Sequence, residues 1–238
     1  MLEVNGINTF YGSSHILHDV SLEVKEGEVV VLLGRNGVGK TTTLKSIMGI
    51  EHPKSGSILF EGEDITKSAV HRIARKGIAL VPEDRRVIPN LTVYENLKLG
   101  MVIRGKDINI KETLDTVFNY FPRLEERLNQ MGQSLSGGEQ QMLTIARGLV
   151  SGPKVMMIDE PTEGLMPILV AEIWNILKKL QQDGATVLLV EQNYKEALSL
   201  SENQRAYVLE KGQIRMSGTK EELQCRQDEV ERYLGVKV

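Results

Sequence analysis

The run Val29-Val30-Val31-Leu32-Leu33, followed at once by Gly34-Arg35-Asn36-Gly37-Val38-Gly39-Lys40-Thr41-Thr42, constrains this chain more than any other stretch. Five consecutive β-branched or leucine residues fit a strand buried on both faces, as in a parallel sheet. Glycines after the strand let the backbone turn tightly, so that several N–H groups point at one anion. The helix expected over residues 39–48, stopped by Gly49, adds its positive N-terminal end. Strand, glycine loop and helix in that order make a phosphate cradle, with Lys40 placed to reach β- and γ-phosphates and the Thr41 hydroxyl placed to ligate Mg²⁺. Gly34, Arg35, Asn36, Gly37, Val38, Gly39, Lys40, Thr41 and Thr42 are the candidate nucleotide contacts.

The surrounding pattern extends this into an α/β fold. Residues 1–26 alternate apolar and polar with turns at Asn5-Gly6 and Lys25-Glu26-Gly27, and Ser57–Phe60 resumes the extended pattern, so an antiparallel sheet is expected there. Helices are expected over 68–76, from the Thr92-Val93-Tyr94-Glu95 capping box, over 168–182 and over 194–200; strands are expected over 78–81, 155–158 and 186–190. Ile110, Leu114, Val117, Phe118 and Phe121 read as one helical face. A hairpin at Lys211-Gly212 and a terminal helix opening at Thr219 finish the chain. Strands separated by helices imply an α/β core with a mostly parallel sheet covered by helices on both faces, and the strand, glycine loop and helix order is the context a P-loop requires. At 238 residues the chain reads as one domain with lobes. The antiparallel β lobe takes residues 1–28 and 50–66, the core 29–49, 67–87 and 151–238, and the helical lobe 88–150.

Two further motifs carry chemistry. Val155-Met156-Met157-Ile158-Asp159-Glu160 is an apolar strand ending in two carboxylates. Strand alternation is expected to send the two acids opposite ways, Asp159 to Mg²⁺ and Glu160 to the attacking water as general base. Ser136-Gly137-Gly138-Glu139 has capping-box spacing at the start of an apolar-periodic helix and makes a second anion site. One triphosphate needs only one cradle, so the second site is expected to serve the nucleotide of another chain.

Bulk properties exclude several classes. Hydrophobic residues at 41% and charged residues at 26% are ordinary for a globular protein, and a net charge of −3 argues against nucleic acid as the main partner. No apolar run approaches the ~20 residues that span a bilayer, and the first residues carry no secretory pattern. Cys225 is the only cysteine, so no intrachain disulfide forms, and its expected state is an unreactive thiol in a reducing compartment.

With these motifs in place, the chain resembles the nucleotide-binding subunits of ABC transporters over essentially its whole length. Residues 34–41 correspond to Walker A, Leu135–Gln140 to the signature and Val155–Glu160 to Walker B. The resemblance implies an ATPase using ATP and Mg²⁺, with the ring of Tyr11 stacked on adenine and each ATP held between the Walker A of one chain and the signature of another. Glu83 stands where the family usually has glutamine, and a carboxylate there is expected to act through Mg²⁺ rather than on bare phosphate. Gln192 stands where the family usually has a switch histidine, and its amide is expected to donate to the γ-phosphate. Met166 replaces a common aspartate in the loop after Walker B, which is expected to alter communication between the two sites.

Those departures, together with Pro161-Thr162-Glu163-Gly164-Leu165 and the ending Val230-Glu231-Arg232-Tyr233-Leu234-Gly235, look like the smaller of the two ATPases of branched-chain amino acid importers. The resemblance implies a heteropair with a related ATPase in the cell, or a homodimer when isolated. It also implies membrane permease partners, an indirectly coupled substrate-binding protein, and a peripheral place on the cytoplasmic face of the membrane. Alternative functions are an ABC-type ATPase acting on DNA or ribosomes, and an ATP-clamped module with little hydrolysis.

Overall fold

The computed structural model describes residues 1–105, 108–200 and 204–235. In chain order the elements are β1 (Leu2–Tyr11), β2 (Ser14–Val24), β3 (Val29–Leu33), α1 (Lys40–Ile47), β4 (Ser55–Phe60), β5 (Glu63–Asp64), α2 (Val70–Lys76) and β6 (Ile78–Val81). Then come α3 (Val93–Met101), α4 (Ile110–Phe118), α5 (Pro122–Glu126), α6 (Gly137–Leu149), β7 (Val155–Asp159) and α7 (Pro167–Gln182). The last third holds β8 (Val187–Glu191), α8 (Tyr194–Ala197), β9 (Arg205–Glu210), β10 (Gln213–Thr219), α9 (Lys220–Cys225) and α10 (Gln227–Leu234).

A six-stranded sheet ordered β10-β9-β3-β8-β7-β6 forms the centre, parallel throughout except for the antiparallel β9–β10 hairpin. A four-stranded antiparallel sheet, ordered β2-β1-β4-β5, lies against it. The strand β3 explains the layering. Val29, Val31 and Leu33 point into one apolar cluster with residues of α3, α4, α6 and α7, whereas Val30 and Leu32 point into another with β1, β2, β4 and α1. Every residue of β3, β7 and β8 is buried, as two-sided coverage requires. The core strand is therefore pinned on both faces, and the loop at its end inherits that rigidity.

Several expected boundaries shift for identifiable reasons. Helix α1 begins at Lys40 rather than residue 39, because Gly39 sits at φ 112, outside helical space. Phe121 is buried but lies beyond α4: it precedes Pro122, which drives it to φ −130 and ψ 63, and it stands at the N-cap of α5 instead. Helix α8 stops at Ala197, after which Ser199 and Leu200 donate to the carbonyls of Glu196 and Ala197 in tighter i→i+3 turns. The terminal helix is two helices, broken at Arg226 (φ −115, ψ 33). The capping boxes at Thr92, Ser136 and Thr219 all form.

Candidate active site

The glycine loop connects the C-terminal end of β3 to α1, so its position follows from the centre of the sheet. Gly37 at φ 78 and Gly39 at φ 112 take backbone conformations that side chains disfavour, and a Cβ on Gly39 would lie 2.7 Å from Leu17 Cδ2. Lys40 is only 3% exposed. Its Nζ donates to the Arg35 carbonyl at 2.9 Å across the loop and pairs with Glu160 Oε1 at 2.9 Å. A buried ammonium requires such partners, and here they hold it inside the cradle.

The two acids at the end of β7 diverge, but not by strand alternation alone. Asp159 is the last strand residue, whereas Glu160 leaves the strand at φ 42, a left-handed conformation for a non-glycine residue. Its N–H still donates to the Val190 carbonyl at 3.0 Å, which anchors the kink to β8. Glu160 Oε2 accepts from Gln192 Nε2 at 2.6 Å. Burial pushes the Glu160 carboxyl up, but hydrogen bonds from Glu163, Lys40 and Gln192 outweigh it and hold the group below the ordinary carboxylate value.

Burial, opposed by a hydrogen bond from Thr41 and reinforced by Glu160 and Glu83, pushes Asp159 up to about 6. Its Oδ1 is buried without a hydrogen-bond partner. An unsatisfied carboxylate oxygen beside Thr41, close enough to Glu83 to feel its charge, fits a hard cation. Among the described residues no group of three or more His, Cys, Asp or Glu is placed to hold a metal ion by itself.

Tyr11, Ile16, Gly37, Lys40, Glu83 and Glu160 are among the residues lining a single cleft of about 360 Å³, to which Asn36, Gly39, Thr41 and Thr42 also contribute. Tyr11, the last residue of β1, is 39% exposed, with its ring free to be covered. The structure thus gathers much of the glycine loop, Glu160, Glu83 and the aromatic rim; Asp159 lines a neighbouring cleft with Thr41 and Glu83, and Gly34, Arg35 and Gln192 line another. The structure does not bring Ser136, Gly137, Gly138 or Glu139 into the first of these clefts. Ser136 caps α6: its N–H donates to Glu139 Oε2 at 2.8 Å, and Glu139 N–H donates to Ser136 Oγ at 3.4 Å. Burial works to raise Glu139, but the Ser136 N–H and hydroxyl and the Arg127 cation hold it below its ordinary value.

Two acids at the site were not singled out from sequence. Glu163 shares a hydrogen bond with Glu160 and is raised by it. Glu191, buried at the end of β8, accepts from Thr162 Oγ1 at 2.9 Å and from the Gln192 N–H at 3.1 Å, and burial raises it. Glu191 carried a signal of the same kind as Asp159, an acid closing an apolar strand; Glu163 carried none beyond its place in the turn after Glu160.

Comparison with known proteins agrees with this geometry. A family profile described as ABC transporter matches residues 17–163. The chain is 47% identical over 235 residues to the high-affinity branched-chain amino acid transport ATP-binding protein BraG of Pseudomonas aeruginosa, covering 99% of this chain and 100% of that one. It is 37% identical over 239 residues to the lipopolysaccharide export system ATP-binding protein LptB of Haemophilus influenzae, covering 99% and 97%. Among solved structures, a dimeric ATP-binding cassette in a post-hydrolysis state with ADP and phosphate matches at a TM-score of 0.81 and 28% identity, covering 92% of this chain and 99% of that one. With its strand-end cradle, its paired acids and this full-length likeness, the chain belongs to the ABC transporter family as an ATP-binding, ATP-hydrolysing subunit.

Proposed function

We propose that this ATPase powers a branched-chain amino acid importer, and that its nucleotide is closed between two ATPase chains. The 47% identity to a branched-chain amino acid transport protein, against 37% to a lipopolysaccharide export protein, supports that cargo. Among the described residues no helix is long and apolar enough to cross a membrane, which is compatible with a peripheral subunit working through permease partners. Its proposed place is the cytoplasmic face, beside a related ATPase in the cell or a second copy when isolated. A substrate-binding protein is coupled only indirectly.

The chain of contacts from Lys40 through Glu160 to Gln192 carries the catalytic reading. Lys40 exchanges Glu160 for the β- and γ-phosphates of incoming ATP, which frees the carboxylate to take a proton from water. Gln192, already within 2.6 Å of that carboxylate, orients it and donates to the γ-phosphate. Thr41, Asp159 and Glu83 hold Mg²⁺, which when bound offsets the phosphate charge. Tyr11 stacks on adenine, and residues 34–42 wrap the phosphates. Ser136, Gly137, Gly138 and Glu139 lie outside the chain's own cleft and are assigned to the nucleotide of the opposite subunit.

The deciding experiment is Glu160→Gln. Expected are retained ATP binding, phosphate release lowered by about 100-fold or more, and accumulation of an ATP-loaded dimer in sedimentation. Undiminished steady-state release would overturn the base assignment. Co-purification from membranes of permeases that bind radiolabelled leucine supports the cargo; recovery of a lipopolysaccharide-binding assembly instead would replace it with the export reading.

A further inference from the structure

The ending Val230–Gly235 marks a subfamily in sequence, yet nothing in the ATP cycle described above uses it. In the structure these residues form most of α10, and that helix reaches the switch. Tyr194 opens α8 two positions after Gln192 and is 8% exposed. Its hydroxyl donates to Glu231 Oε1 at 2.5 Å, and Gln227 Nε2, one turn earlier on α10, donates to the same oxygen at 2.7 Å. Burial and the neighbouring Glu231 carboxylate push the phenol up to about 12, so it remains a donor at any working pH.

The same helix touches the glycine loop. Gly235 closes α10 at φ 65, and a Cβ there would lie 2.8 Å from Arg35 Nη1. Arg35, Gln192, Tyr194, Lys195 and Leu234 line one cleft of about 660 Å³. Val230 and Leu234 anchor α10 in the apolar cluster that also holds Tyr194, Ala197 and Leu198. The C-terminal helix is therefore a fixed body bearing on the switch, and on the carbonyl-bearing loop residue that Lys40 grips. On the switch side, one buried charge-assisted hydrogen bond sets the spacing.

We propose that Tyr194 and Glu231 are positioning residues for ATP hydrolysis: the C-terminal helix fixes the backbone after β8 so that the Gln192 amide stays on Glu160. This rests on the role given to Gln192 above. Neither side chain lines the P-loop cleft, so both act through Gln192.

The test is a double-mutant cycle on the purified full chain with Mg²⁺ and ATP, combining Tyr194→Phe with Gln192→Ala. Tyr194→Phe keeps the buried ring and removes only the donor. Expected is a kcat lowered by about tenfold with affinity for a fluorescent ATP analogue unchanged. In the Gln192→Ala background the same substitution is expected to add nothing. Glu231→Gln, whose amide oxygen still accepts from the phenol, is expected to retain most activity, whereas Glu231→Leu behaves like Tyr194→Phe.

A folded Tyr194→Phe variant with normal kcat overturns the inference, as does an effect that multiplies fully with Gln192→Ala. If Gln192→Ala itself leaves kcat unchanged, the role of Gln192 fails first and the brace has no catalytic purpose. Thermal melts read alongside separate a folding defect, which would lower kcat, affinity and Tm together and would also overturn the inference.

Discussion

The glycine-loop end of the molecule and the Ser136 end, both assigned above to phosphate as a proposal, differ in how much of the work one chain completes. At the first, β3 delivers a loop whose lysine is buried, paired at 2.9 Å with Glu160 and held at 2.9 Å by the loop's own Arg35 carbonyl. At the second, the helix N-terminus is closed by its own Glu139, and no residue from 136 to 139 lines the P-loop cleft. A self-capped helix start is stable without ligand and meets an anion through N–H groups the cap leaves over. The contrast teaches that charge is stored at one end and geometry at the other, which suits a site assembled from two chains.

Removing the stored charge is expected to give the largest effect. Lys40→Met takes away the ammonium that faces phosphate, and ATP affinity is expected to fall about a hundredfold, equivalent to about 2.7 kcal/mol. The same change leaves the Glu160 carboxylate buried without its cation, so urea unfolding without nucleotide is expected to show a loss of about 3 kcal/mol. Normal binding of a fluorescent ATP analogue to this variant would erase the distinction between the two ends.

Ser136→Ala is expected to act differently. Loss of the cap costs about 1 kcal/mol of stability, readable by the same unfolding experiment. Binding of ATP to one chain is expected to stay within about twofold, whereas turnover falls by about tenfold because closure is impaired. A loss of single-chain ATP affinity comparable with that of Lys40→Met would mean the two ends serve one nucleotide within one chain.

The smallest effect concerns Glu139. Its folded-state value lies below the ordinary carboxylate value, so its contribution to stability is fully present above that ordinary value and is lost as pH falls through the lower, folded one. Wild type and Glu139→Ala are therefore expected to differ in urea midpoint at pH 7 and to converge near pH 3. A constant difference across that range would assign the residue's effect to packing instead.

Local chemistry made much of this legible beforehand. Val29–Leu33 and Ile78–Val81 are strands at the expected residues, because an unbroken apolar run bounded by glycine or proline leaves few alternatives. The capping boxes were readable for the same reason: four consecutive residues contain both reciprocal bonds. Phe121 was not, since periodicity assigned it to α4 while the clash imposed by Pro122 decided otherwise. Nor was the left-handed kink at Glu160, which depends on a hydrogen bond to Val190, thirty positions away.

Sequence by itself determined that a cradle for phosphate would follow a central strand and that carboxylates would end another, because both are properties of contiguous residues. Only the tertiary structure decided which groups meet. It set Lys40 on Glu160, Gln192 on the same carboxylate, and Tyr194 on the last helix, while leaving Ser136 apart. Those contacts join segments from tens to more than a hundred residues apart, and their spacing is fixed by how β3, β7 and β8 lie side by side in one sheet with both faces packed.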